Sequence, residues 1–299
     1  MLSLKNILTK YALKPYRYAK HGKTTYIDTS NGRFVIKKNN KDEEILTYLK
    51  SRNFDYIPSI ISDYNDEYEI SEYIEETNIP IEQKIMDLID LVSLLHNKTT
   101  HYKEVSSEHY KQIYEDISNN IAYLYSYYTD LITMIETKVF MSPSEYLFAR
   151  NITKIYASLN FSKVEIDKWY NLVKDKKKDR FVVIHNNLDL SHFLRNDASY
   201  LISWDKSRID KPIFDLYKLY RRHLNDIDFS EVLKRYERNY PLLEEERLLL
   251  FILITLPDKI ELEDDEYEMT KKIDHLVNSL YRTETFISPY YSKNTKDNK

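Results

Sequence analysis

The residues best suited to do chemistry lie in two short polar segments in the second half of the chain. One is HNNLDLSH, His185–His192, and the other is SWD, Ser203–Asp205. They come at the ends of two runs that are typical of buried strands, Phe181–His185 and Tyr200–Trp204. If the backbone is extended in these segments, residues two apart share a face. Asp189 and Asp205 could then form an acidic pair that holds a metal ion, with His192 nearby. The alternative is that both are solvated or structural carboxylates.

The composition excludes several other chemistries. The 299-residue chain contains no cysteine and only two glycines, Gly22 and Gly32, whereas average usage of about 7% would give roughly 20 glycines. Two glycines ten residues apart fit neither a P-loop nor a dinucleotide fingerprint nor a serine-hydrolase elbow. Without cysteine there is no disulfide, thiolate zinc site, cysteine nucleophile or iron–sulfur cluster.

Charge and hydropathy narrow the class of partner. A net charge of −4 disfavours nonspecific nucleic-acid binding as the main role. The longest apolar run, Leu248–Leu256, is shorter than the roughly 20 residues of a membrane span, and the N-terminus does not read as a secretory signal. We therefore expect a cytoplasmic protein with no membrane span and no nucleic-acid partner. The 28 tyrosines reflect either an AT-rich genome or a coat or interface protein.

The first third of the chain is typical of a small sheet with one helix. Tyrosine- and threonine-rich runs alternate with turn signals, of which Asn31-Gly32 is the strongest. Strands are predicted at Tyr16–Lys20, Thr24–Asp28, Arg33–Lys38, around residues 60–61 and at Glu69–Ile74, with a short amphipathic helix at Asp42–Ser51.

The rest of the chain is predicted to be mainly helical, because apolar residues recur at helical spacing. Helices are predicted at 81–95, Ser106–Lys138, Ser144–Leu159, Lys163–Lys174, Pro212–Leu224, Phe229–Asn239, Leu243–Leu256 and Tyr267–Tyr281. The predicted class is α+β: a sheet-containing N-lobe at residues 1–78, a helical C-lobe at 79–286 and a disordered tail at 287–299.

Five segments in this order resemble the bilobal, protein-kinase-like phosphotransferases. They are RFVIKK, EISEYIEE, LVSLLHNKT, HNNLDLSHFL and LISWDKSRIDKPIFDLYKL. The resemblance covers roughly residues 12–285. The family includes aminoglycoside phosphotransferases, choline kinases and their bacterial spore-coat relatives. The spore-coat branch is most similar, through its simple Asn-Gly hairpin, its long helical middle and its C-terminal segment. The implied fold has a nucleotide cleft between the two lobes.

The resemblance implies a lysine that holds the α- and β-phosphates of ATP and a helix carboxylate that fixes it. Lys37 occupies the lysine position. Because neighbouring strand residues point to opposite faces, only one of Lys37 and Lys38 is expected to face the cleft. The carboxylate could be Asp42, Glu43 or Glu44, and similarity to the family helix favours Glu44.

Further positions follow from the same resemblance. The hinge residues Glu72, Tyr73 and Ile74 are expected to contact the nucleotide. His185 matches a histidine with a structural role, which buttresses its loop against the segment around Asp215. We therefore expect His185 to support the site without acting as a catalyst.

Three positions depart from the chemistry that the resemblance implies. The catalytic Asp falls on Asn187, whose amide cannot act as a base, and the magnesium-binding Asn falls on His192, a poor magnesium ligand. The magnesium-binding Asp falls on Ser203, which carries no charge, although Asp205 matches the second acid of that motif. The pattern indicates a degenerate kinase.

Three functional hypotheses follow. The first is a pseudokinase with a binding or structural role, in spore-coat formation and with spore-coat proteins as partners. The second is an active small-molecule phosphotransferase that uses ATP and magnesium with Asp189 and Asp205 as displaced acids. The third is a scaffold that binds no nucleotide. The first two imply a nucleotide or small molecule in the inter-lobe cleft.

Overall fold

The N-terminal part of the chain forms a four-stranded antiparallel sheet in the order β1-β2-β3-β4. Its strands are β1 (Pro15–His21), β2 (Thr24–Thr29), β3 (Gly32–Lys38) and β4 (Tyr68–Glu72). The structure, a computed structural model, describes residues 4–40 and 42–292. These four strands confirm the strands predicted at Tyr16–Lys20, Thr24–Asp28, Arg33–Lys38 and Glu69–Ile74.

Both glycines lie at the turns of this sheet. Gly22 follows β1 and has φ +59, and Gly32 begins β3 with φ +125. L-residues with a side chain rarely adopt these angles, so glycine is suited to both turns. The second turn is further held by Thr29, whose Oγ1 donates to the Gly32 carbonyl (2.9 Å) and accepts from the Asn31 N–H (3.1 Å).

One face of the sheet is covered by a short helix, α1 (Leu4–Lys10). The apolar core on this face joins Ile7 and Leu8 of α1 to Ile27, Ile36 and Ile70 of the sheet. Because side chains alternate along a strand, residues 35 and 37 of β3 point to the opposite face from Ile36.

The helix α2 (Glu43–Ser51) follows β3. The side chain of Asp42 caps it by accepting from the N–H groups of Glu44 (3.0 Å) and Ile45 (3.4 Å), as expected of an N-cap aspartate. Its buried residues are Ile45, Leu46 and Leu49, which leaves both glutamates of the first turn exposed.

The described residues form two compact units. The first extends to Thr100 and includes Val182–Asp210 and Arg235–Tyr240; the second comprises His101–Phe181, Lys211–Lys234 and the chain from Pro241 onward. The remaining elements are α3 (Ile81–Thr99), β5 (His101–Glu104), α4 (Ser107–Glu136), α5 (Pro143–Val173), β6 (Lys178–Ile184), β7 (Phe193–Arg195), β8 (Ser199–Leu201), β9 (Arg208–Asp210), α6 (Ile213–His223), α7 (Phe229–Asn239), α8 (Glu244–Thr255) and α9 (Glu266–Ser292).

In the first unit, β7 and β8 form a hairpin next to α3, and Val182–Ile184 of β6 pairs with β9. In the second unit, α5 packs on α4, α8 and α9, while β5 pairs with Lys178–Phe181. The chain is therefore α+β, with an N-terminal antiparallel sheet and a mainly helical remainder, which confirms the predicted class. The predicted lobe boundary at residue 78 stays a prediction.

Two helix predictions were wrong in their boundaries. Ser144–Leu159 and Lys163–Lys174 belong to one helix, α5, because Ser158, Ser162 and Glu165 continue a single buried face across the polar junction. The predicted tail at 287–299 begins too early, since α9 continues through Ser292. Its end is held by aromatic packing of Tyr290 and Tyr291 on the preceding helices; residues 293–299 lie outside the described residues.

Two strand predictions also differ from the structure. Around residues 60–61 there is only a single bridge, Ile60 with Ser71. The predicted strand Tyr200–Trp204 is shorter, because Ser203 adopts a left-handed conformation and a 3₁₀ turn begins at Trp204. Within residues 4–40 and 42–292, no helix combines the length and apolar character needed to cross a membrane.

Candidate active site

A cavity of about 350 Å³ lies in the first unit, on the face of the sheet opposite α1. Its walls come from β2, β3 and β4, from the β1–β2 turn and from the loops that follow β6 and β8. Six residues predicted to form the site border it: Lys37, Glu72, Asn187, His192, Ser203 and Asp205. The two polar segments singled out in the sequence therefore do meet the lysine strand.

Lys37 faces a carboxylate that the sequence analysis did not identify. The register of β3 and β4 places Glu69 directly opposite Lys37, and directly opposed residues of an antiparallel pair share a face. Glu69 is buried, with 7% of its surface exposed, and borders the cavity. Alternation in EISEYI puts Glu69 and Ser71 on one face, but the register with β3 is what places Glu69 opposite Lys37.

Glu44 is placed outside this site. It lies exposed in the first turn of α2, and neither it nor Asp42 or Glu43 borders the cavity. The reason is helical periodicity, because turning Ile45 and Leu46 into the core directs the acids of the first turn to solvent.

Three lysines border the cavity rather than one. Lys23 comes from the β1–β2 turn, and both Lys37 and Lys38 come from β3. Lys38 is exposed, is the last residue of its strand and pairs with Tyr68, so alternation puts it on the opposite face from Lys37. The expectation that only one of the two faces the cavity stays a prediction.

The apolar part of the wall was also missed. Val35 and Tyr26 border the cavity from the sheet, and Leu194 and Ile202 border it from the β7–β8 hairpin and its continuation. Tyr26 and Val35 are direct partners in the β2–β3 pair, but β7 and β8 form a separate sheet, and no local pattern in the sequence indicates that Leu194 and Ile202 border the same cavity.

The loop after β6 is held by its own hydrogen bonds. Asn186 has φ +58, a conformation that asparagine tolerates, and its Nδ2 donates to the Lys206 carbonyl (2.8 Å). His192 Nδ1 donates to the carbonyl of Asn187 (2.8 Å). Because a carbonyl oxygen only accepts, Nδ1 carries the proton of this bond. Asn187 itself is buried, at 8% exposure.

Asp189 is not part of the cavity wall. Its Oδ1 accepts from the N–H (2.8 Å) and the hydroxyl (2.6 Å) of Ser191 and so caps the 3₁₀ turn Leu190–His192. Of the two alternatives for Asp189, this geometry favours the structural carboxylate. Asp205 is exposed and does border the cavity.

His185 lies behind the site, fully buried. Its Nε2 donates to the Ile202 carbonyl (2.9 Å), and its ring packs edge-on against Trp204 at 4.8 Å. The indole of Trp204 donates to the Leu201 carbonyl (2.9 Å). These contacts tie the end of β6 to the segment that carries Ser203, which is a supporting role. Asp215 is buried in the first turn of α6 in the second unit, and its predicted contact with the loop stays a prediction.

Two hinge residues do not border the cavity. The Tyr73 N–H donates to the Arg33 carbonyl (3.0 Å), and the Arg33 guanidinium stacks 4.2 Å above the Tyr73 ring. Ile74 is buried at 8% exposure. Of the three predicted hinge residues, only Glu72 borders the cavity.

The donor set of the cavity is poorly suited to magnesium. The described residues contain no group of three or more His, Cys, Asp and Glu side chains that could hold a metal ion. The loop positions at which the sequence resemblance expects magnesium ligands offer one carboxylate, Asp205, with an amide at Asn187 and an imidazole at His192, whereas magnesium prefers oxygen ligands in octahedral geometry. The other two carboxylates of the wall, Glu69 and Glu72, lie on β4.

The backbone of Ser203 adopts an unfavourable conformation. It has φ +66 and ψ 54, in the left-handed region, which is unfavourable for a residue with a side chain by about 1–2 kcal/mol. Such strain is typical of sites where the surrounding structure dictates the direction of a side chain. Here the strained residue borders the cavity.

No protein-family model and no curated protein matches this sequence, but solved structures do. An aminoglycoside phosphotransferase from Alicyclobacillus acidocaldarius subsp. acidocaldarius DSM 446 has a TM-score of 0.74 at 10% identity, over 98% of this chain and 96% of that one. A spectinomycin phosphotransferase in complex with AMP has a TM-score of 0.56 at 13% identity, over 94% and 96%. A structure of spectinomycin phosphotransferase with ADP and spectinomycin has a TM-score of 0.52 at 14% identity, over 93% of this chain and 96% of that one. The chain therefore has the fold of the kinase-like phosphotransferases, as predicted.

Proposed function

We propose that this protein is a pseudokinase that binds an adenine nucleotide in the cavity of the first unit and transfers phosphate poorly or not at all. One observation carries the proposal. The cavity combines the lysine Lys37, paired in register with Glu69, with the uncharged side chains of Asn187 and Ser203 at the positions where the sequence resemblance expects acids.

The wall of the cavity suits a nucleotide. Tyr26, Val35, Leu194 and Ile202 supply apolar surface for a base, as small-molecule sites generally do. The three lysines supply charge for a polyphosphate. The AMP and ADP complexes of the spectinomycin phosphotransferase support an adenine nucleotide as the ligand.

The side chains of the same cavity do not suit phosphoryl transfer. A positioned base typically contributes about 10²–10⁴ in rate, and an amide at Asn187 cannot accept the proton of an acceptor hydroxyl. Because the donor set does not suit magnesium, the proposal includes no step through that ion. The residues that remain can bind and orient a nucleotide, through Lys37 and the apolar wall.

Thermal denaturation with ADP or ATP, in EDTA and in magnesium, tests the proposal. We expect nucleotide to raise the Tm without magnesium, since a ligand at 100 times its Kd stabilises the folded state by about 2.7 kcal/mol. Lys37→Met should abolish most of the shift. The matched control is Lys20→Met, because Lys20 is exposed on β1 and does not border the cavity.

A second matched pair tests the partner of Lys37. Glu69→Gln should weaken nucleotide binding, whereas Glu44→Gln should leave it unchanged, since Glu44 does not border the cavity. Absence of any shift at millimolar nucleotide would favour the scaffold hypothesis and contradict the proposal. A shift that requires magnesium would favour the active enzyme.

The active phosphotransferase with displaced acids is the second hypothesis. The position of Asp205 at the cavity supports it, but the hydrogen bonds of Asp189 to Ser191 do not. A place in the spore coat is proposed on sequence resemblance alone. A tagged copy that never enters the coat of a sporulating host would contradict that part.

A further inference from the structure

The second unit contains a separate cavity of about 350 Å³ between α5, the end of α8 and α9. Its walls are mainly apolar, with Phe161 on α5 and Leu280 and Ile287 on α9. Its volume lies near the lower end of the range for small-molecule sites. Nothing in the proposed nucleotide function uses this cavity.

A buried carboxylate interrupts the apolar wall. Glu165 is 4% exposed and borders the cavity. Its Oε1 accepts from Lys168 Nζ (2.6 Å) and its Oε2 accepts from the Tyr291 hydroxyl (2.9 Å). A carboxylate offers about four acceptor sites, so these two bonds leave capacity for a further donor.

The counter-ion of Glu165 lies outside the cavity. The Lys168 side chain that pairs with Glu165 is 58% exposed and does not border the cavity. Within the cavity lining, Lys154 is paired with Glu284. The charged lining residues are thus two carboxylates and one ammonium, and the net negative charge favours a cationic ligand.

Aromatic rings lie beside the same carboxylate. Phe161 and Tyr291 both border the cavity and meet edge to face, with centroids 5.3 Å apart and an interplanar angle of 78°. Ring faces attract cations, and the Tyr291 hydroxyl is bonded to Glu165. Burial, followed by this hydrogen bond, raises the pKa of Tyr291, so its ring carries an intact phenol at neutral pH.

We propose that this cavity binds a small primary amine with an apolar tail. The ammonium group hydrogen-bonds Glu165 beside the two rings, and the tail fills the space between Phe161, Leu280 and Ile287. The N–H donors matter, because the open acceptor sites of Glu165 require a hydrogen bond as well as a positive charge.

Calorimetry on the 299-residue chain with three matched probes tests this site. The probes are 2-phenylethylamine, the uncharged 2-phenylethanol and the N,N,N-trimethyl derivative of the amine, which is charged but lacks N–H groups. We expect the amine to bind about tenfold or more tightly than either analogue, as a hydrogen bond to a charged group implies.

Substitutions test whether Glu165 causes the tighter binding of the amine. Glu165→Gln should weaken the amine about tenfold or more and leave 2-phenylethanol within about twofold. The matched control is Glu284→Gln, because the Glu284 side chain is 62% exposed at the rim and its loss should change amine affinity by no more than about threefold. Ala157→Phe, at an exposed position that borders the cavity, should block all three probes.

Three results would each overturn the proposal. One is no heat of binding with millimolar 2-phenylethylamine; another is equal binding of the amine and the alcohol. The third is an equal loss in Glu165→Gln and Glu284→Gln. If Glu165→Gln does not fold, Ala157→Phe and the three-probe comparison still decide the question.

Discussion

Replacing Glu246 with leucine will lower the free energy of unfolding by about 3–5 kcal/mol, the loss expected when one partner of a buried ion pair is removed. Glu246 is 1% exposed, and Arg180 is 7% exposed. Arg180 Nε donates to Glu246 Oε1 (2.9 Å), and its Nη2 donates to Oε2. The same carboxylate accepts from the Leu243 N–H (2.9 Å) at the start of α8. Glu246→Leu therefore removes the counter-charge of a buried guanidinium, whose Nη2 also donates to the Pro241 carbonyl (3.0 Å), and removes the acceptor of the Leu243 N–H.

The cost of the single substitution comes from the stranded charge, and a double variant tests that reason. Arg180→Met combined with Glu246→Leu should recover most of the lost stability, because neither charge of this pair is left buried without the other. An exposed pair provides the control: Glu231 and Lys234 on α7 lie 2.7 Å apart with both side chains more than half exposed. Glu231→Leu should cost no more than about 1 kcal/mol.

Urea denaturation followed by circular dichroism measures these differences, with an unchanged m-value as the check that only stability has changed. The thermal midpoint of Glu246→Leu should fall by on the order of 10 °C. A loss as small as that of Glu231→Leu, or a double variant no more stable than Glu246→Leu, would contradict the role assigned to the pair.

The sheet could be predicted because its signals are local. Gly22 and Gly32 supply backbone angles that few other residues adopt, and alternation then defines the strands on either side. The three- and four-residue strands β5, β7 and β9 were not predicted. Such strands are too short to show a period. β5 and β9 form because β6, which is distant from both in sequence, completes their hydrogen bonds, and β7 forms as one half of a short hairpin with β8.

The ends of helices were also hard to predict, because local sequence signals do not show the tertiary contacts that extend a helix. No glycine or proline interrupts the sequence between Leu159 and Lys163, so the polar residues there gave a false break in α5. At the other extreme, Pro289 lies inside α9, where proline normally ends a helix. The carbonyl of Thr285, which Pro289 cannot bond, accepts from the Ser288 hydroxyl at 3.4 Å, and tertiary packing of Tyr290 and Tyr291 holds the last turns.

The residues of the candidate site could be predicted where they are neighbours in sequence. They could not be predicted where the register between two strands determines which side chains meet. Asn187, His192, Ser203 and Asp205 were identified from their two segments, and all four border the cavity. The carboxylate opposite Lys37 was not identified, because the pairing of β3 with β4 and not the motif brings Glu69 there. No pattern within β4 alone gives that register.

Asn187→Asp combined with Ser203→Asp should give the largest gain of activity that any pair of substitutions in this cavity can provide. The first restores a group that can take a proton, a change worth about 10²–10⁴ in rate in enzymes. The second adds a carboxylate at a position that borders the same cavity. Hydrolysis of ATP, measured with magnesium in a coupled assay, is the readout because it needs no acceptor substrate.

The backbone should accept both changes. Aspartate is isosteric with asparagine at 187. At 203 the φ of +66 is already left-handed, and aspartate is found in that region more often than most residues. The control is Asn196→Asp, which adds one negative charge in the β7–β8 turn, where the Asn196 side chain accepts from the Ala198 N–H (3.0 Å) and does not border the cavity. We expect no change of activity in that variant.

The single substitutions separate the two contributions. If the cavity is a nucleotide site that lacks only its base and an acid, each single variant should hydrolyse ATP more slowly than the double variant, and the gains should be more than additive because both groups act on one transition state. A folded double variant that binds ATP without hydrolysing it would show that more than these two side chains has been lost. A wild-type chain that already hydrolyses ATP as fast as the double variant would instead contradict the pseudokinase proposal, since the amide at Asn187 would then be no obstacle to transfer.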